Sequence, residues 1–443
     1  MGVVTMTAAT IFSGCTPIEE PILRVGVVSD NQAYAFRNDW GMHNMEQALG
    51  MLSELDPEVL LLVGDITDSA DPAVFDMTMD IAREKFGSKM PQIVACAGNH
   101  DYWVDGDIDK RQPEKTYAEF CKGFGIPLDN PCHTVIKGYH FITMSEDNEF
   151  LHSSEYSEKI VAALEAEIKK AVSSDPDKPV FVLTHYPPRN TVSGSHGKSG
   201  QERLGAMFKK YPQVISLSGH THYPLEDERS IWQKEYTALS TSTLAYGCME
   251  ERPFNSCNGI IPFAREVNQM MYMVLFKDRL VIRRYNVTDK REIKPDKPWV
   301  LPLPFDPAKA VYTDARAAAR KAPEFPEDAK ILFRYDFGFL YLIFDAAQHD
   351  DFVHFYRVKI TDQADKKVVF DQRYVGDFYR LEHNRDNRMT FRLPTDVLIP
   401  GRVYTYEIYP EESFGKEGKP LTVTNLLNQR IRFRKGAKIY PQE

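Results

Sequence analysis

The chain of 443 residues is poor in several features that would settle its class at once. No stretch approaches the ~18 consecutive apolar residues of a membrane-spanning helix. Cysteine is scarce, six in all, and no two are spaced as CxxC, which excludes a zinc knuckle. The patterns GxSxG, GxxxxGK[ST] and HExxH are absent, removing the simplest serine-hydrolase, P-loop and zinc-protease readings. Positive charge is in deficit, with 54 Lys and Arg against 63 Asp and Glu and a net charge of −9. A nucleic-acid-binding surface, which wants clustered cations, is therefore not expected. A site for an anionic substrate would need positive charge from elsewhere, and bound metal cations supply it.

What is present points to a globular protein of two or three domains, with 43% hydrophobic residues. At the N-terminus, the uncharged residues 2–12, GVVTMTAATIF, run into Ser13-Gly14-Cys15. This resembles the end of a bacterial lipoprotein signal, with Cys15 as the lipidated residue. It implies a protein of the bacterial cell envelope, periplasmic or on the outer membrane, that touches membrane only through a lipid anchor. A cytoplasmic protein with a floppy tail is the alternative. Of the other cysteines, Cys96 reads as a buried core thiol. Cys121 with Cys132, and Cys248 with Cys257, could close short loops, which spacing alone does not establish.

From residue 22 apolar strands alternate with helical patterns. ILRVGVVSD, VLLLVGD (59–65), IVACAGNHD, PVFVLTHY (179–186) and VISLSGHTH (214–222) read as buried strands. Between them lie a helix near 42–53, one opened by Asp71-Pro72, and one with Ile160, Leu164 and Ile168 every fourth residue. The pattern predicts an α/β domain with helices over a central sheet. MMYMVLFKDRLVIRRY (270–285) reads as a closing hairpin. The proline-rich stretch that follows is expected to be a surface linker over 289–308, with a short helix at DARAAARKA. From about 328 the pattern becomes all-β, and LIPGRVYTYEIYP resembles the corner of a fibronectin type III-like sandwich, with Tyr404 hydrogen-bonding back to the backbone.

Five polar motifs stand just after predicted strands: SDNQ (29–32), GDITD (64–68), GNHD (98–101), THY with His185, and GHTH (219–222). Strand ends gathered on one edge of an α/β sheet are where ligands bind. Singly, each motif has an ordinary explanation as a cap, a turn or a core histidine. Together they offer two aspartates, an amide oxygen and three histidines, a mixed O/N set suited to Mn, Fe or Zn. Two divalent ions about 3.5–4 Å apart can share a carboxylate, hold a hydroxide and polarise a phosphoryl oxygen.

The ordered motifs D-x-Q, GDxxD, GNHD, H and GHTH resemble the calcineurin-like metallophosphoesterase family. The resemblance implies an α/β/β/α sandwich over roughly 22–288, after a lipoprotein-like segment 1–21. A linker and short helix (289–327) and a C-terminal all-β sandwich domain (328–443) would follow. It implies two divalent metal ions, Mn, Fe, Zn or Mg. Asp30, Asp65 and His222 would bind the first ion, and Asp65 would bridge to a second completed by Asn99, His185 and His220. His100 would be the general acid beside the leaving group, with Asp101 orienting its imidazole and Asp68 supporting the loop. The departure is Gln32, where the family's commonest pattern has His. A neutral amide oxygen is a harder and usually weaker donor than imidazole, so a looser first site tilted towards Mn or Mg is expected.

Tyr102, Arg189 and His196 are candidate substrate contacts, since Arg suits a phosphate oxygen and an aromatic ring suits a sugar or base. The Ser/Thr-rich stretch 238–247 lines the same mouth or is a strand and its turn. The expected function is hydrolysis of a small phosphorylated substrate by metal-bound hydroxide. A pyrophosphatase acting on nucleotide sugars and a non-catalytic surface protein that binds through its sandwich are the alternatives.

Overall fold

The computed structural model describes residues 19–36, 39–105, 107–110, 112–150, 155–429 and 433. The expected lipidation site, Cys15, lies outside the described residues.

In chain order the first strands and helices are β1 (Leu23–Val28), α1 (Trp40–Leu55), β2 (Val59–Val63), α2 (Pro72–Phe86), β3 (Gln92–Cys96), α3 (Pro113–Phe124), β4 (Cys132–Ile136) and β5 (Tyr139–Met144). There follow α4 (Glu158–Ser174), β6 (Val180–Thr184), α5 (Glu202–Phe208), β7 (Val214–Ser218), β8 (Ile231–Gln233), β9 (Thr237–Ser240), β10 (Gln269–Leu275), β11 (Arg279–Asn286), β12 (Arg291–Ile293) and β13 (Trp299–Pro302).

They form two sheets, ordered β12-β11-β10-β1-β2-β3 and β4-β5-β6-β7-β9-β8, with β13 also pairing β11. Val25, Val27, Leu61 and Val63 of one sheet pack against Phe141, Phe181, Leu183 and Leu217 of the other in a single core. The opposite faces are covered by α1 to α3 and by α4 with α5, giving an α/β/β/α sandwich. Strands β2, β6 and β7 are buried at every residue. Sheets covered on both faces require that, which is why these strands read as unbroken apolar runs.

The helices begin where local chemistry stops the chain. Asp39 accepts from Met42 N, Asp71 from Ala73 N with Pro72 in the first turn, and Ser157 from Ile160 N. Among the described residues no helix is long and apolar enough to cross a membrane.

The stretch expected as a surface linker rejoins the sheet instead: β12 and β13 both pair antiparallel with β11, and Trp299 is buried. Pro298 and Pro302 fall at the boundary of an edge strand, where a missing N–H costs little. Cys96, Cys121, Cys132, Cys248 and Cys257 are free thiols, so neither loop-closing pair forms a disulfide.

Beyond a short helix, α6 (Arg316–Ala319), come β14 (Ile331–Asp336), β15 (Phe339–Asp345), β16 (Phe355–Asp362), β17 (Val368–Val375), β18 (Arg388–Arg392), β19 (Val403–Glu411) and β20 (Leu421–Leu426). They make a three-stranded sheet, β14-β15-β18, over a four-stranded one, β17-β16-β19-β20, around a shared apolar core. At the predicted corner, the Tyr404 hydroxyl accepts from Ile399 N at 2.8 Å, and Gly401 supplies the positive φ of the turn.

Candidate metal centre

The parallel strands β1, β2, β3, β6 and β7 all end at one edge, and each leads directly into a polar motif. The chain then turns sharply. Asp30, Gln32, Asp65, His220 and His222 all sit at positive φ, between 45° and 65°. For non-glycine residues this conformation costs of order 1–3 kcal/mol each, and such costs cluster at functional sites.

Neighbouring glycines make room for the side chains. A Cβ on Gly98 would overlap Asp65 Oδ1, one on Gly219 would overlap Asp30 Oδ2, and one on Gly64 would strike the His185 ring. The GD, GN and GH dipeptides are therefore consequences of crowding, each glycine lying against a functional side chain from another strand.

Two groups of side chains converge there: Asp30, Asp65 and His222, and Asp65, His185 and His220, each with potential ligand atoms within 4.8 Å of one another. His222 Nε2 lies 3.0 Å from Asp30 Oδ1, and His185 Nε2 lies 3.2 Å from Asp65 Oδ2. The remaining nitrogens are held from behind. His222 Nδ1 contacts the Tyr246 carbonyl at 2.8 Å, and His185 Nδ1 contacts the Val63 carbonyl at 3.0 Å. Such contacts fix which ring nitrogen faces a metal. Asn99 Oδ1 meets His220 Nδ1 at 3.0 Å, joining it to the second group.

The donor set fits divalent cations. Asp30 Oδ2 and Gln32 Oε1 are buried with no hydrogen-bond partner, although a buried polar atom normally has one. Two buried carboxylates side by side also demand positive charge. Burial opposes ionisation of Asp65, but the imidazoles of His185 and His100 outweigh it and hold the carboxyl well below the usual range. Burial likewise lowers His185, but Asp65 wins and raises it to about 10. For His220, burial and the neighbouring His185 both act downwards, pushing it well below 6.5.

His100 sits at the rim. Its main-chain N–H donates to Asp65 Oδ1 at 2.8 Å, and the Trp103 ring packs on its imidazole with centroids 3.8 Å apart. The expected roles of two aspartates are exchanged. Asp101 does not touch the imidazole: its carboxylate accepts from Ile66 N, Thr67 N and Gly98 N, tying the β2 and β3 loops together. Burial and the charge of Asp65 raise Asp101 to about 7, with those backbone donors pulling the other way. Asp68 is the residue that faces His100, and the exposed Tyr34 hydroxyl donates to its other oxygen.

The expected substrate contacts fare differently. Tyr102 is 1% exposed and its hydroxyl donates to the Glu146 carbonyl, so it belongs to the core. Arg189 is spent on the Gly200 carbonyl and Glu202, closing its own loop. His196 is exposed, and its main chain hydrogen-bonds Glu250. The stretch 238–247 is a strand and its turn, and it buttresses the first motif: Thr241 meets Ser29, and Thr243 donates to the Asp30 carbonyl. Tyr246 is the residue sequence reasoning missed. It backs His222 through its carbonyl and ring and sets its phenol beside Gln32. Its only signal was its place at the end of the Ser/Thr-rich stretch.

Residues 23–224 match the family model for calcineurin-like phosphoesterases. This part of the chain is a calcineurin-like metallophosphoesterase domain, followed by a C-terminal β-sandwich region. The family typically binds two metal ions, and the Asp/His groups above are the candidates to hold them. Comparison with curated proteins gives no match.

Among solved structures, a dimetal phosphatase from Danio rerio is similar at 11% identity and TM-score 0.41, covering 62% of this chain and 99% of that one. GAP50, the anchor in the inner membrane complex of Plasmodium, is similar at 12% identity and TM-score 0.42, covering 67% and 92%. Purple acid phosphatase PPD1 from yellow lupin is similar at 12% identity and TM-score 0.42, covering 61% and 52%.

Proposed function

We propose that the protein hydrolyses phosphate esters with the help of two divalent cations. The observation that carries this reading is that two Asp/His groups share one carboxylate, Asp65, beside buried polar atoms that lack partners. Asp30, Gln32, Asp65 and His222 hold one cation; Asp65, Asn99, His185 and His220 hold the other. The donors are oxygen and imidazole nitrogen without thiolate, which suits Mn, Fe or Zn, and the amide at Gln32 tilts the first site towards Mn or Mg. When bound, such ions polarise a phosphoryl oxygen and lower the pKa of a bound water.

The protein's own groups supply the rest. His100, protonated and held by Asp68, donates to the departing ester oxygen, a role that asks for an acid within hydrogen-bond reach of the leaving group. Asp101 keeps the two loops that carry Asp65 and Asn99 in register. Trp103 covers one face of the His100 ring and limits water on that side.

The test is hydrolysis of chromogenic phosphate mono- and diesters with Mn²⁺, which should disappear in Asp65→Ala and fall steeply in His100→Ala. Wild-type protein that binds metal but turns over no member of a broad phosphate panel would favour a non-catalytic role.

A further inference from the structure

The loop after the Ser/Thr-rich stretch reaches from the first cation group to the sandwich. At its start, Tyr246 gives its carbonyl to His222 Nδ1 at 2.8 Å, packs its ring 4.7 Å from the same imidazole and sets its phenol beside Gln32. The next residue, Gly247, is pinned by two backbone bonds, its N–H to the Ala264 carbonyl and its carbonyl to Ile261 N. A Cβ there would press on Val267 and Ile261, so the contact closes only on glycine. Glu266 ends the short turn that contains Ala264.

Glu266 is gripped by the sandwich. Arg380 Nη2 and Nε each reach one of its oxygens at 2.9 Å, Asn384 Nδ2 adds a bond at 2.9 Å, and Leu381 N adds one at 2.8 Å. Tyr379 donates to the Pro262 carbonyl at 2.6 Å, and the Arg380 guanidinium lies over the Phe263 ring. Apolar packing follows the same line. Tyr223, Met249, Ile261 and Val267 share a buried cluster with Phe355, Val375 and Phe378 of the sandwich. Ordinary domain contact does not require a carboxylate saturated by four donors at the base of a loop that ends on a metal-facing histidine.

We infer that the sandwich is part of the metal site: Arg380, through Glu266 and the 246–266 loop, is a positioning residue that sets Tyr246 and thereby the Gln32 amide and His222 ring of the first cation site. The inference rests on the dinuclear reading above and deepens it. It also gives Gln32 a reason to work as a ligand. The Tyr246 phenol lies beside one end of the amide, leaving Oε1, which is buried and without a hydrogen-bond partner, for a cation. Residues behind the ligands of a metal site act on affinity in just this way.

The experiment is calorimetric titration of metal-stripped full-length protein with Mn²⁺, with metal content measured in parallel. Wild type should show two classes of site, and His222→Ala identifies the class that belongs to the first site. Arg380→Ala should weaken that class by roughly 10–100-fold and leave the other within about twofold. Arg380→Lys, which keeps the charge but not the two-pronged geometry, should recover part of the loss.

Tyr246→Phe removes one hydroxyl and should weaken the same class alone, so the inference stays testable if Arg380→Ala does not fold. Unchanged first-site affinity in Arg380→Ala or in Tyr246→Phe overturns the inference, as does equal weakening of both classes. Wild type that binds no Mn²⁺ overturns the dinuclear reading itself, and this inference with it.

Discussion

The carboxylate that faces His100 is Asp68: its Oδ1 lies 3.5 Å from His100 Nδ1, and its main-chain carbonyl lies 3.0 Å from the same nitrogen. Burial pulls the imidazole pKa down, but the charges of Asp65 and Asp68 outweigh it and raise it to about 9. A general acid must be protonated, so its contribution is present below that pKa and lost as pH rises through it. Removing one of the two carboxylates moves the loss to lower pH. Asp68→Asn is therefore expected to shift the alkaline limb of the kcat profile down by about one pH unit. His100→Ala is expected to lower kcat on alkyl esters by roughly 10²–10⁴-fold and by less on p-nitrophenyl esters, whose leaving group needs no proton.

Gln32 distinguishes the two proposed cation sites. In Gln32→Ala the second site keeps Asp65, Asn99, His185 and His220, while the first keeps only Asp30, Asp65 and His222. One tightly held Mn²⁺ per chain, in place of two, is the expected result by elemental analysis after gel filtration. Gln32→His should restore the first-site ion and shift its preference towards Zn, because imidazole is the softer donor. Two ions held equally well in Gln32→Ala would remove Gln32 from the ligand set.

Gly98→Ala tests the crowding around Asp65. Gly98 is not in the left-handed region, so alanine meets no backbone penalty there, and only its Cβ matters. That carbon would overlap Asp65 Oδ1, the Asp65 main-chain nitrogen at 2.6 Å and the His185 ring at 2.8 Å, displacing the carboxylate proposed to bridge both ions and the imidazole beside it. Activity is expected to fall about 100-fold or more, as for a reacting group moved by about 1 Å, with little change in far-UV circular dichroism. Retained turnover in a folded Gly98→Ala protein would show that Asp65 has freedom to move.

The positions around the proposed cation sites were readable because each follows an apolar strand, buried at every residue in β2, β6 and β7, with a polar residue at its end, and the parallel strands deliver that end to the same edge. What faces what was not readable. Asp68 and Asp101 both stand within two or three residues of a ligand, and spacing cannot tell a carboxylate aimed at an imidazole from one aimed at three amides. Tyr102 looked outward because it follows GNHD, but the short turn at His100–Tyr102 carries it under the loop. Arg189 is used by its own loop. Residues 291–302 looked like a linker because proline is counted against strands, although the rule bears on central strands and not on edges. The grip of Arg380 on Glu266 joins residues 114 apart and leaves no local trace.

Glu228 provides a test of stability away from the metal site. Its carboxylate accepts from Lys294 at 2.9 Å, from the fully buried Arg284 at 3.2 Å and from Trp299 Nε1 at 2.8 Å. Burial opposes the charge, but Lys294 and Arg284 more than offset it, lowering the pKa from 4.5 to about 2. A carboxyl depressed in the folded state stabilises above its unfolded pKa, and that contribution fades as pH falls from about 4.5 towards about 2. Glu228→Gln keeps the shape and removes the charge, leaving Arg284 buried without its counter-ion. It is expected to cost on the order of 3 kcal/mol at pH 7, measured by urea unfolding of both proteins. The gap should narrow steadily below pH 4.5, because the wild-type carboxyl is itself being neutralised there. A gap of constant size down to pH 3 would mean that the glutamate acts through packing and not through its charge.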